Sequence, residues 1–307
     1  MQIITIHGGR TLHGRIRPAA AKNSVLPLLA ASLLGSTPSR LRAVPPLADV
    51  ATSLALLQAV GAGAVRQESD LVVTPAGPLQ GEIPDYLAGA MRSSVFYLAP
   101  LLCRVGMVRL PLPGGCRLGP RPVDIHLAGL AAMGASVELE GIAVTLRRHG
   151  PLHGVDFTLR LPSVGATMTL LMAATQAGGT TILRGAACEP EISDLANFLR
   201  ACGAHITGAG TPVLVIQGGE PLHGAVWTPL PDRIAAATYA AALACAGGEV
   251  TVTGCAPAYY AAFLDFLQAA GVEMTRQGDD VTLTRAPAQP LRGRQKLYAN
   301  AWPAFAT

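Results

Sequence analysis

The stretch Leu199-Arg-Ala-Cys-Gly203, together with Leu222-His-Gly224, contains two sequence markers that recur along the chain and decide its fold. One marker is a helix-like segment that ends in glycine, and its copies close at Gly61, Gly134, Gly203 and Gly271. The other marker is the triplet Leu-x-Gly, which occurs five times at intervals of 67, 73, 70 and 69 residues: Leu12–Gly14, Leu79–Gly81, Leu152–Gly154, Leu222–Gly224 and Leu291–Gly293. A fixed period of this length indicates a chain built from repeated supersecondary units.

Each copy of the repeat has the same order of predicted elements. The triplet is followed by an apolar helix such as 166–177, then by a strand such as 180–183. A second helix closed by glycine and two alternating strands, one of them 213–217, complete the copy. The sequence therefore predicts β-α-β-α-β-β modules whose apolar helices are buried inside a shell of sheets, which is an α/β fold.

Composition limits the class of protein. The chain has 307 residues, of which 50% are hydrophobic and 14% charged, enough for about two globular domains. Its apolar stretches 24–34 and 234–245 are shorter than the roughly 20 residues of a membrane helix, and Pro27 interrupts the first. The N-terminus has no secretion signal, and six cysteines without a C-x-x-C pair indicate neither a zinc site nor a disulfide framework. A cytoplasmic protein is expected.

The charge pattern favours a small anionic substrate over nucleic acid. The net charge is +4, but the arginines are dispersed singly and no basic run with interleaved aromatic residues appears. Only Lys22 and Lys296 of the 23 basic residues are lysine. Lys22 therefore calls for a specific explanation.

Cys116 is a candidate catalytic residue. It follows a predicted strand and two glycines, and Arg117 and Arg121 lie in the same loop. Backbone amides and nearby guanidinium groups would lower the pKa of a thiol and place it against an anion. Cys188 and Cys255 occupy the corresponding junction in later copies, so a cysteine here is also explained as a property of the repeat. Only Cys116 has cations beside it.

Candidate anion-binding residues stand at the start of the first helix of several copies. Lys22 and Asn23 do so in the first copy, Arg92 in the second and Ser163–Gly165 in the third. Helix N-termini favour anions. Solvated surface charges explain the cations equally simply, and an ordinary helix cap explains Ser163.

The seven histidines have no metal-ligand spacing, so no metal site is predicted. His13, His153 and His223 recur inside Leu-x-Gly, which favours a structural role for these three. His126 lies near the Cys116 loop, and its role stays open.

Together these motifs resemble the UDP-N-acetylglucosamine 1-carboxyvinyltransferases, members of the enolpyruvyl transferase (EPSP synthase-like) family. The resemblance runs along essentially the whole chain, and the loop with Cys116 is its most specific part. It is carried by residues 21–23, 90–92, 112–126, 163–167, 189–192, 230–234 and 303–305. It implies an α/β fold of two similar domains: a complete three-module domain over 22–230, and an incomplete partner formed by 1–21 plus 231–307.

The resemblance also implies the chemistry. The enolpyruvyl group of phosphoenolpyruvate would pass to the 3′-hydroxyl of UDP-N-acetylglucosamine, with Cys116 as the acid and no cofactor. Phosphoenolpyruvate would be held by Lys22, Asn23, Arg92 and Arg121. UDP-N-acetylglucosamine would be held by Asn23, Arg92, Arg121, Pro122, Val123, Asp124, Ile125, Ser163, Val164 and Gly165.

Some positions depart from the family pattern. Ala19-Ala20 and Ala235–Ala237 replace more polar residues, Leu161 and Cys188 stand where some members have a cation, and Tyr298 replaces a common arginine. An acceptor other than UDP-N-acetylglucosamine therefore stays open.

The end of the sequence also departs from the family. The family's catalytic aspartate would follow Thr307, so the chain is expected to be truncated, and to be completed by a missing C-terminal segment or by a second chain. A non-catalytic relative that binds UDP-sugar is the remaining alternative.

Overall fold

A computed structural model of the protein describes residues 4–5, 7–75, 77–111, 123–287, 290–293 and 302. The strands are β1 Leu12–Ile16, β2 Ser39–Leu41, β3 Gly63–Gln67, β4 Asp70–Thr74, β5 Met107–Pro111, β6 Ala135–Glu140, β7 Ala143–Arg148, β8 Asp156–Thr158, β9 Gly179–Arg184, β10 His205–Thr207, β11 Val213–Gly218, β12 Val226–Trp227, β13 Gly248–Val252, β14 Glu273–Gln277 and β15 Asp280–Arg285. The α-helices are α1 Lys22–Ala31, α2 Ala48–Ala59, α3 Asp85–Ala90, α4 Leu98–Val105, α5 Asp124–Ala132, α6 Val164–Gln176, α7 Pro190–Ala201, α8 Arg233–Ala246 and α9 Ala261–Ala269. Short 3-10 helices span Ser32–Leu34, Arg92–Tyr97 and Pro257–Tyr260.

The chain forms two compact units. The larger unit is Ala20–Leu230, and the smaller unit combines Met1–Ala19 with Pro231–Thr307. Within the described residues, the larger unit contains three sheets with the strand orders β12-β2-β4-β3, β5-β7-β6 and β10-β11-β9-β8. The smaller unit contains the sheet β1-β13-β15-β14. Repeated sheets of one type, connected by helices, confirm the predicted α/β class.

The third copy of the repeat shows the module most completely. Strand β8 pairs in parallel with β9, while β9, β11 and β10 pair antiparallel. Helix α6 connects β8 to β9, and α7 connects β9 to β10. The helix predicted over 166–177 is α6, and the strands predicted over 180–183 and 213–217 are β9 and β11. The predicted β-α-β-α-β-β order is confirmed here.

The first and fourth copies exchange their first strands. Strand β1 pairs in parallel with β13, from Leu12 opposite Gly248 to Ile16 opposite Val252. Strand β12, which follows the fourth Leu-x-Gly, pairs in parallel with β2 of the first copy. The linear repeat does not reveal this exchange, because strand pairing depends on contacts far apart in sequence.

The two sequence markers touch each other in the structure. The helix-closing glycines Gly61, Gly134, Gly203 and Gly271 all have left-handed backbones, with φ between +93° and +105°, which glycine adopts without strain. The middle residue of the next Leu-x-Gly donates its backbone N–H to the carbonyl just before that glycine. These bonds are Gln80 to Val60 (2.9 Å), His153 to Met133 (3.1 Å), His223 to Cys202 (3.0 Å) and Arg292 to Ala270 (2.8 Å). Both markers recur because they form the two halves of one contact.

In the second, third and fourth triplets the glycine is needed for close approach of backbones, whereas a Cβ atom on Gly14 or Gly293 would meet no atom of the described residues within 4 Å. A Cβ atom on Gly154 would lie 2.3 Å from the carbonyl oxygen of Thr180, and one on Gly224 would lie 2.1 Å from that of Pro38. No side chain fits at these distances.

The helices that open the modules of the larger unit form its core. Every residue from Ser24 to Ala31 in α1 and from Ala166 to Thr175 in α6 is buried, which confirms the prediction of buried helices. Helix α1 runs through Pro27, so the expectation that Pro27 interrupts this stretch is wrong. Since proline has no N–H, it cannot donate to the carbonyl of Asn23 one turn earlier.

Helix α8, the corresponding helix of the smaller unit, is apolar but only partly buried. It buries Ala236, Ala240 and Leu243, whereas Ile234 and Tyr239 are 53% and 43% exposed. Within the described residues no helix combines the length and apolarity needed to cross a membrane.

Candidate functional site

The loop that carries the candidate acid lies outside the described residues. Cys116, Arg117, Arg121 and Pro122 belong to the stretch 112–122, which connects β5 to α5. The other candidate residues are described, and all of them lie in the larger unit.

Lys22 and Asn23 are the first two residues of α1, and both side chains are exposed. The Lys22 Nζ atom lies 3.0 Å from Oδ2 of Asp49, with the two side chains 48% and 36% exposed. Such a solvated pair contributes little to stability. Ala21 precedes the helix and, within the described residues, makes no side-chain hydrogen bond that caps it. Asp49 thus contacts the ammonium as an anionic ligand would, beside a helix N-terminus.

Arg92 begins the 3-10 helix Arg92–Tyr97 and is partly buried. This 3-10 helix packs against both α1 and α6. Segments that open the three modules of the larger unit, namely α1, this 3-10 helix and α6, are therefore connected by contacts that the 3-10 helix makes.

His126 is a buried residue near several candidate residues. Its side chain is on α5, its Nδ1 atom lies 2.9 Å from Oγ1 of Thr169, and the residue is only 6% exposed. Burial lowers its pKa to about 4; the positive charge of Arg92 acts in the same direction, and Asp124 opposes it. His126 is therefore a neutral imidazole at neutral pH.

Gly165 packs directly on His126. A Cβ atom at this position would lie 3.1 Å from Cε1 and 3.2 Å from Nε2 of the imidazole. Glycine lets the first turn of α6 lie against the ring. The structure thus brings Arg92, Asp124 and Gly165 together around His126, whose role the sequence left open.

Ser163 caps α6. Its Oγ atom accepts a hydrogen bond from the backbone N–H of Ala166 at 3.3 Å, which is the cap interpretation offered by the sequence. This bond uses only an oxygen lone pair, so the hydroxyl group can also donate its proton to an acceptor. Val164 and Gly165 follow, both partly exposed, in the first turn of the helix.

Asp124 has a partner that the sequence analysis missed. Nη2 of Arg160 lies 2.6 Å from Oδ2 of Asp124, and the hydrogen bond from Arg160 is the main cause that lowers the pKa of Asp124. Beside them, Ile125 is buried and Leu161 is 44% exposed. Arg160 stands just before the start of α6, and that position could have marked it as a candidate.

The cysteines at the junctions equivalent to Cys116 are held as thiols. Cys188 donates to the carbonyl of Ala186 at 3.6 Å, and its pKa is raised by burial and by the charge of Glu189. Burial likewise raises the pKa of Cys255. Neither is a ready nucleophile or metal ligand. The described part of the chain also contains no cluster of three or more His, Cys, Asp or Glu residues suited to a metal ion.

The sequence of this chain matches a known enzyme family. The EPSP synthase (3-phosphoshikimate 1-carboxyvinyltransferase) family matches residues 6–300. The chain belongs to this family. Its members are enolpyruvyl transferases, so the enzyme class and the family resemblance inferred from the motifs are confirmed.

A curated relative is similar along the whole chain. The UDP-N-acetylglucosamine 1-carboxyvinyltransferase of Desulfovibrio desulfuricans is 42% identical over 307 residues, which are 100% of this chain and 73% of that protein.

Solved structures share the fold. The enolpyruvyl transferase NikO from Streptomyces tendae aligns with a TM-score of 0.79 and 27% identity, over 94% of this chain and 68% of NikO. The EPSP synthase of Acinetobacter baumannii aligns with a TM-score of 0.71 and 18% identity, over 90% of this chain and 65% of that chain. The latter likeness concerns the fold alone.

Proposed function

We propose that the protein transfers the enolpyruvyl group of phosphoenolpyruvate to the 3′-hydroxyl of UDP-N-acetylglucosamine, the first committed step of peptidoglycan synthesis, in the cytoplasm. The observation that carries the proposal is the relative from Desulfovibrio desulfuricans, which bears the name of this activity and is 42% identical over the full chain. The loop around Cys116, specific to this branch of the family by resemblance, supports the same acceptor.

In the proposed mechanism, the sugar hydroxyl gives up its proton to a base and attacks C2 of phosphoenolpyruvate while Cys116 protonates C3. Phosphate then leaves C2 of the tetrahedral adduct as C3 loses a proton, which restores the double bond of the enolpyruvyl group. Lys22, Asn23, Arg92 and Arg121 hold phosphoenolpyruvate. The position of Lys22 supports this role, because its ammonium already pairs with a carboxylate, that of Asp49, at 3.0 Å. Cations stabilise developing negative charge most strongly where water is excluded.

The acceptor is proposed to bind along the same face of the larger unit. Asn23, Arg92, and the stretch from Arg121 through Pro122, Val123 and Asp124 to Ile125 hold the sugar nucleotide, while Ser163, Val164 and Gly165 hold the diphosphate. The contact of Gly165 with the His126 ring supports this arrangement, since it fixes the start of α6 beside α5. A helix N-terminus is a favourable place for a diphosphate.

We also propose that a further polypeptide segment of the same module type covers the apolar face of α8, either as part of a longer chain or as a second chain. The exposure of Ile234 and Tyr239 supports this, because the equivalent helices are buried at every residue of Ser24–Ala31 in α1 and of Ala166–Thr175 in α6. The coding sequence that follows Thr307 distinguishes the two sources.

The decisive test is turnover measured as phosphate release from both substrates. The chain is assayed together with the part of the Desulfovibrio desulfuricans protein that lies beyond the aligned region. Cys116→Ser is expected to lower the rate about 10²- to 10⁴-fold, the usual loss on removing a general acid. Cys188→Ser is the matched control and should keep the rate, because Cys188 occupies the same junction of the next module. Equal rates in both variants would refute the role of Cys116.

A different acceptor is the second candidate function. It is favoured by Ala19-Ala20 and Ala235–Ala237, and by the exposed Leu161 where some relatives have a cation. A competition assay across hydroxylated nucleosides decides the matter, since turnover of UDP-N-acetylglucosamine alone excludes the alternative.

A non-catalytic UDP-sugar-binding protein is the third candidate, favoured by the exposed face of α8. Calorimetric titration of the chain with UDP-N-acetylglucosamine tests it. Binding without turnover in the completed assembly supports this candidate, and a titration without heat rules it out.

A further inference from the structure

Asp194 is a buried carboxylate that no proposed step of the reaction uses. It lies on α7, is 3% exposed, and accepts hydrogen bonds from three donors. Oδ1 accepts from Nε1 of Trp227 at 2.9 Å, and Oδ2 accepts from the backbone N–H of Leu230 at 3.2 Å and from the hydroxyl of Ser24. Burial raises its pKa, while the three hydrogen bonds act in the opposite direction.

The three donors come from two distant parts of the sequence. Ser24 lies in the first turn of α1, directly after Lys22 and Asn23, whereas Trp227 and Leu230 lie at the end of the larger unit. The backbone N–H of Ala21 donates to the carbonyl of Leu230 at 2.8 Å. The start of α1 and the end of the unit are therefore joined both directly and through Asp194.

Lys22 and Asn23 have little else to fix them. Their side chains are exposed, and the ion pair of Lys22 with Asp49 is solvated. The first turn of α1 has no side-chain cap from Ala21. A buried hydrogen bond to a carboxylate is stronger and more directional than an exposed ion pair. Beyond core packing, the bond between Ser24 and Asp194 is thus a buried side-chain hydrogen bond that restrains this turn.

We infer that Asp194 is a positioning residue, which holds the first turn of α1 so that Lys22 and Asn23 face the ligand. The identity of the ligand in this inference rests on the proposed function. The ordering of the first turn of α1 by Asp194 is inferred from the structure alone.

The first experiment measures that ordering without ligand, by hydrogen exchange of the backbone amides of residues 24–26. Asp194→Asn places an amide N–H₂ against a donor, and Ser24→Ala removes the bond to α1 alone. Both variants are expected to speed exchange at these amides by about tenfold, the equivalent of one lost hydrogen bond. The first turn of α6 should exchange at an unchanged rate in both.

The second experiment measures binding of phosphoenolpyruvate and of UDP-N-acetylglucosamine to the full chain by calorimetry. Asp194→Asn and Ser24→Ala are expected to weaken binding of the ligand held by Lys22 and Asn23 by about tenfold. Asp156→Asn is the matched control: this exposed carboxylate of the same unit pairs with Arg184 at 2.8 Å and should not affect binding.

Trp227 supplies a signature that a purely structural loss would not produce. In a Trp302→Phe background, its emission should shift in Asp194→Asn, which removes the negative charge beside the indole N–H, but not in Ser24→Ala. Unchanged exchange at residues 24–26, or unchanged affinity in both variants, overturns the inference. If the unaltered chain binds neither ligand even with the added segment used in the turnover assay, the proposed function fails, and the hydrogen-exchange experiment alone then tests the role of Asp194. If Asp194→Asn does not fold, hydrogen exchange and ligand affinity of Ser24→Ala test the inference instead.

Discussion

His126 is expected to make the larger unit sensitive to acid. Its pKa is lowered from the ordinary 6.5 to about 4, chiefly by burial. The unfolded chain therefore takes up a proton at a higher pH than the folded chain does. Above pH 6.5 the effect on stability is absent; as the pH falls towards 4 the unfolded state gains, and folding stability declines.

The size of this loss follows from the difference between the two pKa values. The full difference corresponds to about 3 kcal/mol, reached below pH 4, and about 2 kcal/mol of it is expected by pH 5. His126→Asn keeps a side-chain group near the position of Nδ1, within reach of Thr169, but cannot be protonated. The variant is expected to be less stable than the parent chain at pH 7.5, yet to lose about 2 kcal/mol less on going to pH 5.

The assay is urea unfolding at pH 7.5 and pH 5, followed by Trp227 fluorescence in a Trp302→Phe background so that the larger unit alone is observed. His205→Asn, which replaces an exposed histidine of the same unit, is the control and should follow the parent chain. If the parent and His126→Asn lose equal stability between the two pH values, the interpretation of His126 as a buried neutral imidazole is refuted.

Two further predictions concern the framework. Gly154→Ala should destabilise the larger unit by about 3 kcal/mol or more, because its Cβ would lie 2.3 Å from a backbone carbonyl oxygen. Gly89→Ala, with no atom within 4 Å, should stabilise α3 by about 0.5–1 kcal/mol; equal melting temperatures for the two variants would contradict both. Tyr97→Phe should cost about 1 kcal/mol in urea unfolding, since the buried hydroxyl lies 2.5 Å from Oγ of Ser53. The exposed Tyr86→Phe should cost nothing measurable, and a similar loss in both would count against this reasoning.

The parts of the fold that depend on local signals could be predicted from the sequence. Helix α6 has an apolar run, and the helix-closing glycines Gly134 and Gly203 mark positions that need a left-handed backbone. Such signals lie within a few residues of the element that they specify. The repeat period then gave the order of elements within each module.

The parts that depend on contacts between distant residues could not be predicted. The pairing of β1 with β13 joins residues more than 200 positions apart. The sequence of neither strand indicates which strand it pairs with. Asp194 likewise looks like an ordinary helix residue until Ser24 and Trp227 are placed beside it.

Within the candidate site, the sequence indicated which residues to consider but not how they are supported. Lys22 stood out by the scarcity of lysine, yet its partner Asp49 is on another helix. His126 could not be assigned, because its neutral state follows from burial, which only the packing of α5 and α6 creates.

The exchange of strands between the first and fourth modules has a consequence for synthesis on the ribosome. Strand β1 is made before the larger unit, but its partner β13 emerges only after the entire larger unit. At translation rates of 5–20 residues per second, β1 waits on the order of tens of seconds without its partner. During that interval the larger unit can already fold, since its own ends meet at Ala21 and Leu230. The nascent β1 edge is then a place where chaperones or neighbouring chains can bind before the smaller unit closes.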